Sequence, residues 1–230
     1  MGLLSKAHIY KWLNKPLDRR LVITPILDPK EQIHEGSVDV RLGTTFILTQ
    51  KTEFPQMDPT KKGEILQQEI RRCQFRVSKR LHKKFVLHPL QLVLGGTLEY
   101  LSFPPGLGGY VLSRSSWGRL GLVIATATFV NPGFKGCLTL ELLNLGEVPL
   151  VLYPGCRVAQ LVLHTVSGKP GVHESRYQYA TEPEFSRVYE DPELELWGEG
   201  NPSLPRMTRD LACQINHLAS DFRARTKTCC

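Results

Sequence analysis

Hydrophobic and polar residues alternate along much of the first two thirds of the chain, as they do in strands with one buried face. In residues 37–43, Val38, Val40 and Leu42 lie on one side of the expected strand and polar residues on the other. Many short apolar segments without intervening helices are typical of a mainly β fold, a sandwich or a barrel. Further strands are predicted at 45–48, 90–96, 109–113, 122–130, 137–143, 148–152 and 157–164.

Three Pro-Gly pairs separate some of these segments, and each suits the two central positions of a type II turn. The pairs are Pro105-Gly106, Pro132-Gly133 and Pro154-Gly155. They support a chain that reverses direction often.

Helical periodicity is clearest at the two ends of the chain. Residues 5–14 predict a short N-terminal helix capped by Ser5, with Ile9, Trp12 and Leu13 on one stripe. Beyond about residue 168 the sequence is polar and rich in Glu and Pro, which predicts an irregular tail. A last helix that packs on the protein is expected where apolar residues recur at helical spacing, at Leu211, Ile215, Leu218 and Phe222. We therefore expect a β domain at 1–167 and a tail with a helical extension at 168–230.

The net charge of +7 is concentrated in residues 61–84, which contain nine Lys or Arg and two Glu. The rest of the chain is neutral. This segment fits a nucleic-acid patch, a flank that attracts a small polyphosphate, or a solvated face without a partner. A helix followed by a strand is one structure it can adopt.

Several classes of protein are not supported by the sequence. There is no run of about 18 apolar residues that would cross a membrane, and the first residues lack the apolar centre of a signal peptide. The six cysteines show no ladder of spacings, so a reducing, cytoplasmic location is expected. Because Walker, G-x-S-x-G and zinc-deaminase motifs are missing and the histidines are scattered, no zinc site is expected.

The octapeptide "RSSWGRLG" at 114–121 places two guanidinium groups and two hydroxyls within six residues. Such groups suit a phosphate-bearing ligand, although a solvated surface turn gives the same pattern.

A carboxylate lies in an unusual position in "LTLELLN", residues 138–144. Glu141 shares one strand face with Thr139 and Leu143, and a glutamate among leucines in a buried strand is costly unless it is paired. Two interpretations stay open. One is a structural ion pair with Arg157, and the other is a general base kept ionised by Arg119.

Five segments in order resemble the dCTP deaminases, relatives of the trimeric dUTPases. They are "SVDVRLG" (37–43), "LHPLQLVLGGTLEYLSFP" (87–104), "RSSWGRLGL" (114–122), "ATATFVNPGFKGCLTLELLN" (125–144) and "YPGCRVAQL" (153–161). The resemblance implies a dUTPase-like distorted β-barrel or jelly-roll and a homotrimer with its sites between subunits. It also implies a deoxycytidine nucleotide as substrate, with Mg²⁺ bound only through the triphosphate.

The resemblance also implies roles for individual residues. Glu141 corresponds to the glutamate that takes a proton from the water attacking C4 of cytosine. Ser115 and the carbonyl of Ala127 would fix that water, and Arg119 would orient the glutamate. The remaining residues of the implied nucleotide site are Arg114, Ser116, Trp117, Gly118, Asn131, Thr139, Leu140, Gln160 and Arg176.

Two departures from the family pattern affect the expected reaction. Asn131 stands where dUTPases and many deaminases have an aspartate, and an amide cannot act as the base that attacks the phosphate chain. Deamination of dCTP to dUTP is therefore favoured over dUTP diphosphatase or bifunctional activity. The tail at 174–185 fits the family's nucleotide-closing segment only loosely, with Arg176 as the candidate phosphate ligand, so the phosphorylation state of the substrate stays open. The non-enzymatic alternative is a nucleotide-sensing or nucleic-acid-binding module, and nucleic acid is the less expected partner.

Overall fold

The computed structural model describes residues 2–54, 56–61, 63–124, 129–168, 171, 175–197 and 209–217. The chain divides into two compact units, residues 1–52 with 73–185 and residues 53–72 with 186–230. The first unit contains the strands and every candidate site residue that the structure describes.

The described residues form thirteen strands, which confirms the predicted mainly β fold. In an eight-stranded sheet the order is β8-β11-β5-β2-β13-β7-β9, and β3 also pairs with β2. A three-stranded sheet has the order β1-β6-β10, and β12 pairs with β4. The strands are β1 Val22–Thr24, β2 Ser37–Thr49, β3 Gln74–Ser78, β4 Phe85–Leu87, β5 Leu92–Thr97, β6 Tyr100–Ser102, β7 Leu107–Ser113, β8 Leu122–Ile124, β9 Phe129–Val130, β10 Lys135–Gly136, β11 Thr139–Asn144, β12 Leu150–Leu152 and β13 Arg157–Thr165.

Helices are short and few among the described residues. They are α1 Lys6–Leu13, α2 Pro29–Gln32, α3 Gly63–Cys73, α4 Ser115–Gly118 and α5 Leu194–Trp197, with a 3-10 turn at Val188–Glu190. Residues 209–217 are also helical.

The predicted strands at 37–43 and 45–48 are one continuous strand, β2, so their separation was wrong. The pairing of β2 with β5 shifts register between Leu42 and Phe46. Gly43 lies at this irregularity, and a Cβ there would approach the carbonyl oxygen of Gly96 to 3.0 Å. The missing side chain lets the two backbones come close without ending the strand.

Alternation along the strands builds the core as predicted. Val38, Val40 and Leu42 of β2 are fully buried, and Leu140 and Leu142 of β11 are buried as well. Each such side chain stabilises the fold by about 1.5–3 kcal/mol relative to an exposed one. The predicted strand at 122–130 is described as β8 and β9, and residues 125–128 lie outside the described part.

All three Pro-Gly pairs lie in turns, each closed by a backbone hydrogen bond of 3.0–3.1 Å. Gly133 and Gly155 have φ of 84° and 93°, as a type II turn requires. The prediction of that turn type was wrong for Pro105-Gly106, because Gly106 is not among the positive-φ glycines.

The N-terminal helix is confirmed as α1, with Ile9 buried and Trp12 and Leu13 packed against the core. Ser5 occupies the capping position, but its hydroxyl is hydrogen-bonded to Nδ1 of His8 at 2.8 Å rather than to the backbone.

The basic segment 61–84 is a helix followed by a strand, α3 and β3. In the second unit, Lys61 pairs with Glu69 at 2.6 Å, and Gln67 donates to the Tyr189 hydroxyl at 2.9 Å. In the C-terminal helical residues, Leu211 and Ile215 are more than half exposed. Leu218 and Phe222 lie outside the described residues, so the packing of this helix stays a prediction.

Candidate active site

Residues 114–119, here called the arginine segment, follow directly from β7. Arg114 lies at the N-cap of α4, and its N–H donates to the carbonyl of Val158 at 3.2 Å. Its own carbonyl accepts from the N–H groups of Trp117 and Gly118, each at 3.0 Å. Ser115, Ser116, Gly118 and Arg119 are exposed, and Trp117 is half-buried. The octapeptide is therefore a short helical turn whose hydroxyls face solvent in the single chain.

Arg114 and its neighbours surround a buried carboxylate that the sequence analysis did not single out. One oxygen of Asp39, Oδ2, lies 3.1 Å from Nε of Arg114, 3.2 Å from Nε2 of His34 and 3.5 Å from Nη1 of Arg157. The Asp39 side chain is only 2% exposed. These four residues are called the Asp39 cluster below. The aspartate in "SVDVRLG" was assigned to the polar strand face, and only its pairing partners reveal that this face is covered.

The predicted ion pair between Glu141 and Arg157 was wrong. Arg157 contacts Asp39 and the carboxylate of Glu31, the latter at 3.3 Å. Strand order explains this, because β13 pairs with β2 and β7, whereas β11 pairs with β5 and β8.

Trp117 and Gln160 each neighbour a residue of the Asp39 cluster. The indole Nε1 of Trp117 donates to the carbonyl of Arg157 at 2.9 Å, and Nη1 of Arg114 donates to that same carbonyl at 3.2 Å. Gln160 is the register partner of Asp39 on β2 and of Leu112 on β7. Three of the predicted nucleotide residues are thus brought together around the start of β13.

Glu141 lies on β11, and the residues of this strand alternate between two faces as predicted. Leu140 and Leu142 are buried, whereas Thr139, Glu141 and Leu143 are half-exposed. Within the described residues, the Glu141 side chain has no hydrogen-bond or ion-pair partner. The expectation of a buried, apolar setting for this carboxylate was therefore wrong for the single chain. The half-exposed side of β11 is called the Glu141 face below.

The other predicted residues of the site fall in three places. Leu140 is buried, so only its backbone is available to a ligand. Arg119 donates from Nη1 to the carbonyl of Ser115 at 3.4 Å and makes no hydrogen bond to Glu141 among the described residues. Asn131 begins the turn to Phe134, and its carbonyl accepts from that residue at 3.1 Å. Ala127 lies outside the described residues.

Residues 175–185, the tail segment, pass residues 133–137 and reach the first residue of the strand that carries Glu141. The amide of Glu184 donates to Oγ1 of Thr139 at 3.1 Å. Farther back, the N–H of Tyr179 donates to the carbonyl of Lys135 at 2.7 Å, and the N–H of Cys137 donates to the carbonyl of Ala180 at 2.6 Å. Arg176 is exposed at the start of this segment. The tail segment therefore occupies the hydroxyl of a residue predicted to bind the nucleotide.

A second buried carboxylate, Glu99, lies behind the Asp39 cluster. It accepts from the backbone N–H of Arg41 at 2.8 Å and from Nε2 of Gln32 at 3.2 Å. The same Gln32 nitrogen donates to the carbonyl of Asp39 at 3.2 Å. Burial raises the pKa of Glu99 to about 7, although the hydrogen bond from Arg41 opposes that rise. Glu99 is fully buried, so we assign it to the structure rather than to a reaction with solvent.

In the described part of the chain, no three His, Cys, Asp or Glu side chains converge to hold a metal ion. Nor do those residues include a helix long and apolar enough to span a bilayer.

Comparison with known proteins agrees with this architecture. The family model described as dCTP deaminase-like matches residues 3–166, and the chain belongs to that family. It is 42% identical over 198 residues to the dCTP deaminase of Halorubrum lacusprofundi, covering 84% of this chain and 94% of the relative. It is 38% identical to a protein of Methanosphaera stadtmanae named dCTP deaminase, dUMP-forming, covering 83% of this chain and 96% of the relative.

The fold is similar to that of the 2'-deoxycytidine 5'-triphosphate deaminase from Agrobacterium tumefaciens, with a TM-score of 0.52 and 23% identity. That similarity covers 70% of this chain and 46% of the other.

Proposed function

We propose that this protein hydrolyses dCTP to dUTP and ammonia in pyrimidine deoxynucleotide metabolism. The observation that carries the proposal is the placement of Glu141 on the open face of β11, beside β8. Only Leu120 and Gly121 separate the arginine segment from β8. The arginine segment supplies guanidinium and hydroxyl groups of the kind that bind phosphate, and β11 supplies a carboxylate that is open to a ligand. Family membership and the curated relatives named dCTP deaminase support the choice of reaction.

In the proposed reaction Glu141 accepts a proton as the water oxygen bonds to C4 of cytosine. Glu141 passes that proton to N3, which gives a tetrahedral intermediate, and the C4 hydroxyl proton is then transferred to N4 as the C4–N4 bond breaks and ammonia leaves. Ser115 and the carbonyl of Ala127 hold the water, and Arg119 orients Glu141. The nucleotide is held by Arg114, Ser116, Trp117, Gly118, Asn131, Thr139, Leu140, Gln160 and Arg176.

A homotrimer with shared sites accounts for the incomplete Glu141 face. Exposed apolar side chains support an interface on the β7–β9 side of the sheet, where Tyr110, Leu112 and Phe129 are each more than 40% exposed. Mixing Glu141→Gln subunits with Arg119→Gln subunits tests the shared site. We expect activity to return in the mixed oligomer, and failure of two inactive variants to complement contradicts it.

Magnesium fits this site as a companion of the triphosphate. Mg²⁺ is usually held by phosphate oxygens with few protein ligands. The carboxylate that contacts the arginine segment, Asp39, is already in contact with Arg114, Arg157 and the His34 ring, which makes it a poor magnesium ligand. We assign no zinc to the reaction. The same proposal places the enzyme in the cytoplasm, where a reducing environment suits free cysteines such as Cys137 and Cys156.

The second candidate is formation of dUMP directly from dCTP. Relatives from Methanosphaera stadtmanae and Dictyoglomus turgidum carry the name dCTP deaminase, dUMP-forming, at 38% and 41% identity. Asn131 argues against this product, because an amide cannot take the proton from a water that attacks the phosphate chain.

One product analysis separates these proposals. Purified protein is incubated with dCTP and Mg²⁺, and ammonia, dUTP, dUMP and pyrophosphate are measured. We expect ammonia and dUTP in equal amounts without pyrophosphate. Pyrophosphate with dUMP supports the second candidate. The absence of all four products from dCTP, dCMP and deoxycytidine contradicts both.

A further inference from the structure

The Asp39 cluster contains a charged group that the proposed reaction does not use. A buried carboxylate is strongly disfavoured unless cations and hydrogen-bond donors surround it. Asp39 meets this condition through Arg114, Arg157 and His34, all of which contact the same oxygen. Its partners are not buried to the same degree, because the side chains of Arg114 and Arg157 are 29% and 23% exposed. The buried Asp39 carboxylate therefore fixes two arginine side chains that are still partly exposed to solvent.

The contacts fix the orientation of the Arg114 guanidinium group. Its Nε faces Asp39 at 3.1 Å, and its Nη1 donates to the carbonyl of Arg157 at 3.2 Å. A guanidinium group has five N–H donors in a rigid plane. These two contacts, from Nε and from Nη1, fix that plane, and Nη2 has no hydrogen-bond partner among the described residues, so its donors are available to a ligand. A flexible surface arginine loses side-chain conformational entropy when it binds a ligand. The Arg114 side chain is already fixed before binding, so this cost is smaller.

We propose that Asp39 is a positioning residue that orients Arg114 to bind the phosphate chain of the nucleotide. This inference rests on the proposed function only in taking a nucleotide phosphate as the ligand. Asp39 acts through Arg114 and does not touch the substrate.

The proposal predicts the opposite sign from simple charge attraction. Replacing Asp39 by Asn removes a negative charge next to an anion site, and Coulomb attraction alone would tighten phosphate binding. If Asp39 orients Arg114, the same change weakens binding because the guanidinium plane is released. The direction of the effect therefore distinguishes a positioning role from a neutral or purely structural one.

The experiment measures equilibrium binding by calorimetry in the Glu141→Gln protein, so that no ligand is consumed. The probes are inorganic tripolyphosphate, dCTP and deoxycytidine. For Asp39→Asn we expect about tenfold weaker binding of tripolyphosphate and dCTP, the scale of one charge-assisted hydrogen bond. Deoxycytidine binding should change by less than about twofold, since it has no phosphate. Asp18→Asn, at a side chain 67% exposed, is the matched control and should change nothing.

Two further variants keep the test decisive if Asp39→Asn folds poorly. Arg114→Lys keeps the charge but loses the planar fork, and positioning predicts about tenfold weaker tripolyphosphate binding. In an Arg114→Gln background, Asp39→Asn should have no further effect on that binding. Unchanged or tighter tripolyphosphate binding in Asp39→Asn overturns the inference, as does equal weakening for deoxycytidine. If dCTP is not deaminated but tripolyphosphate binding still falls, the proposed function fails and the positioning role stands.

Discussion

The two halves of the candidate site differ in how completely one chain builds them. In the Asp39 cluster, a carboxylate 2% exposed is in contact with two arginines and the His34 ring, and Gln32 donates both to the carbonyl of Asp39 and to Glu99. On the Glu141 face, a half-exposed carboxylate has no partner among the described residues. Both halves belong to the same compact unit, so the difference does not come from separate folding.

This difference indicates where the site is rigid and where it is completed later. A carboxylate buried among cations is fixed as soon as the strands pair, and its removal must disturb the fold. A half-exposed carboxylate without partners costs the fold little and is free to meet a water, a ligand or a neighbouring subunit. We therefore expect changes in the Asp39 cluster to affect stability, and changes on the Glu141 face to affect activity.

The largest effect is expected for Glu141→Gln. Loss of a general base lowers the rate by about 10²–10⁴-fold. The free energy of unfolding should change by less than about 0.5 kcal/mol, since the side chain has no partner to lose within the described residues. Steady-state kinetics with dCTP and denaturant unfolding check the two parts. Glu147→Gln, the same change at an exposed position, is the control. A large loss of stability in Glu141→Gln would remove the distinction between the two halves.

The second prediction concerns Glu99, which has a pKa raised to about 7 by burial from an ordinary value of 4.5. Between these pH values the folded protein binds the proton that the unfolded chain has released, so stability falls as pH rises. The loss is about 3 kcal/mol between pH 4.5 and 7. Glu99→Gln mimics the neutral acid and should remove this slope.

Unfolding of Glu99→Gln and the unchanged protein is compared across pH 4.5–8. Their difference in free energy should shift by about 3 kcal/mol in favour of the variant as pH rises. Glu35→Gln, at an exposed position, should show no such shift. Parallel curves for Glu99→Gln and the unchanged protein would show that Glu99 titrates normally.

Glu141 and Glu99 illustrate what could be predicted from the sequence and what could not. Period-two alternation identified the strands and the faces of β11, because local pattern follows from burial on one side. Glu141 and the arginine segment were recognised by motif. Asp39 and Glu99 were missed, since their burial depends on which strands become neighbours. The pairing of β13 with β2, rather than with β11, also redirects Arg157 from Glu141 to Asp39. Such long-range pairing leaves no local signal.

A smaller effect is expected for the stability of Asp39→Asn. The amide keeps the shape of the side chain but gives up charge-assisted contacts with Arg114, Arg157 and His34. We expect a loss of about 1–3 kcal/mol, because the arginines are partly solvated and recover some hydration. Denaturant unfolding measures it, with Asp18→Asn as the control. A stability equal to that of the unchanged protein would show that the cluster is no more fixed than the Glu141 face.

The smallest effect is expected where the tail segment is attached to the Glu141 side of the sheet. Arg76 on β3 lies 3.6 Å from Glu182 and 3.7 Å from Glu184, and it donates to the carbonyl of Pro183 at 3.2 Å. These side chains are about 40% exposed, so their ion pairs contribute little. Arg76→Gln should lower the free energy of unfolding by about 1 kcal/mol or less.

Hydrogen exchange locates that effect within the tail segment. In Arg76→Gln the amide of Glu184, which donates to Thr139, should exchange faster because its attachment is weakened. The amide of Tyr179, held by Lys135 at 2.7 Å, should exchange at its former rate. Arg80→Gln removes the same charge from an exposed arginine nearby and should alter neither amide. Equal acceleration of both amides would mean that the tail segment opens as one piece and that Arg76 does not hold the Glu184 end separately.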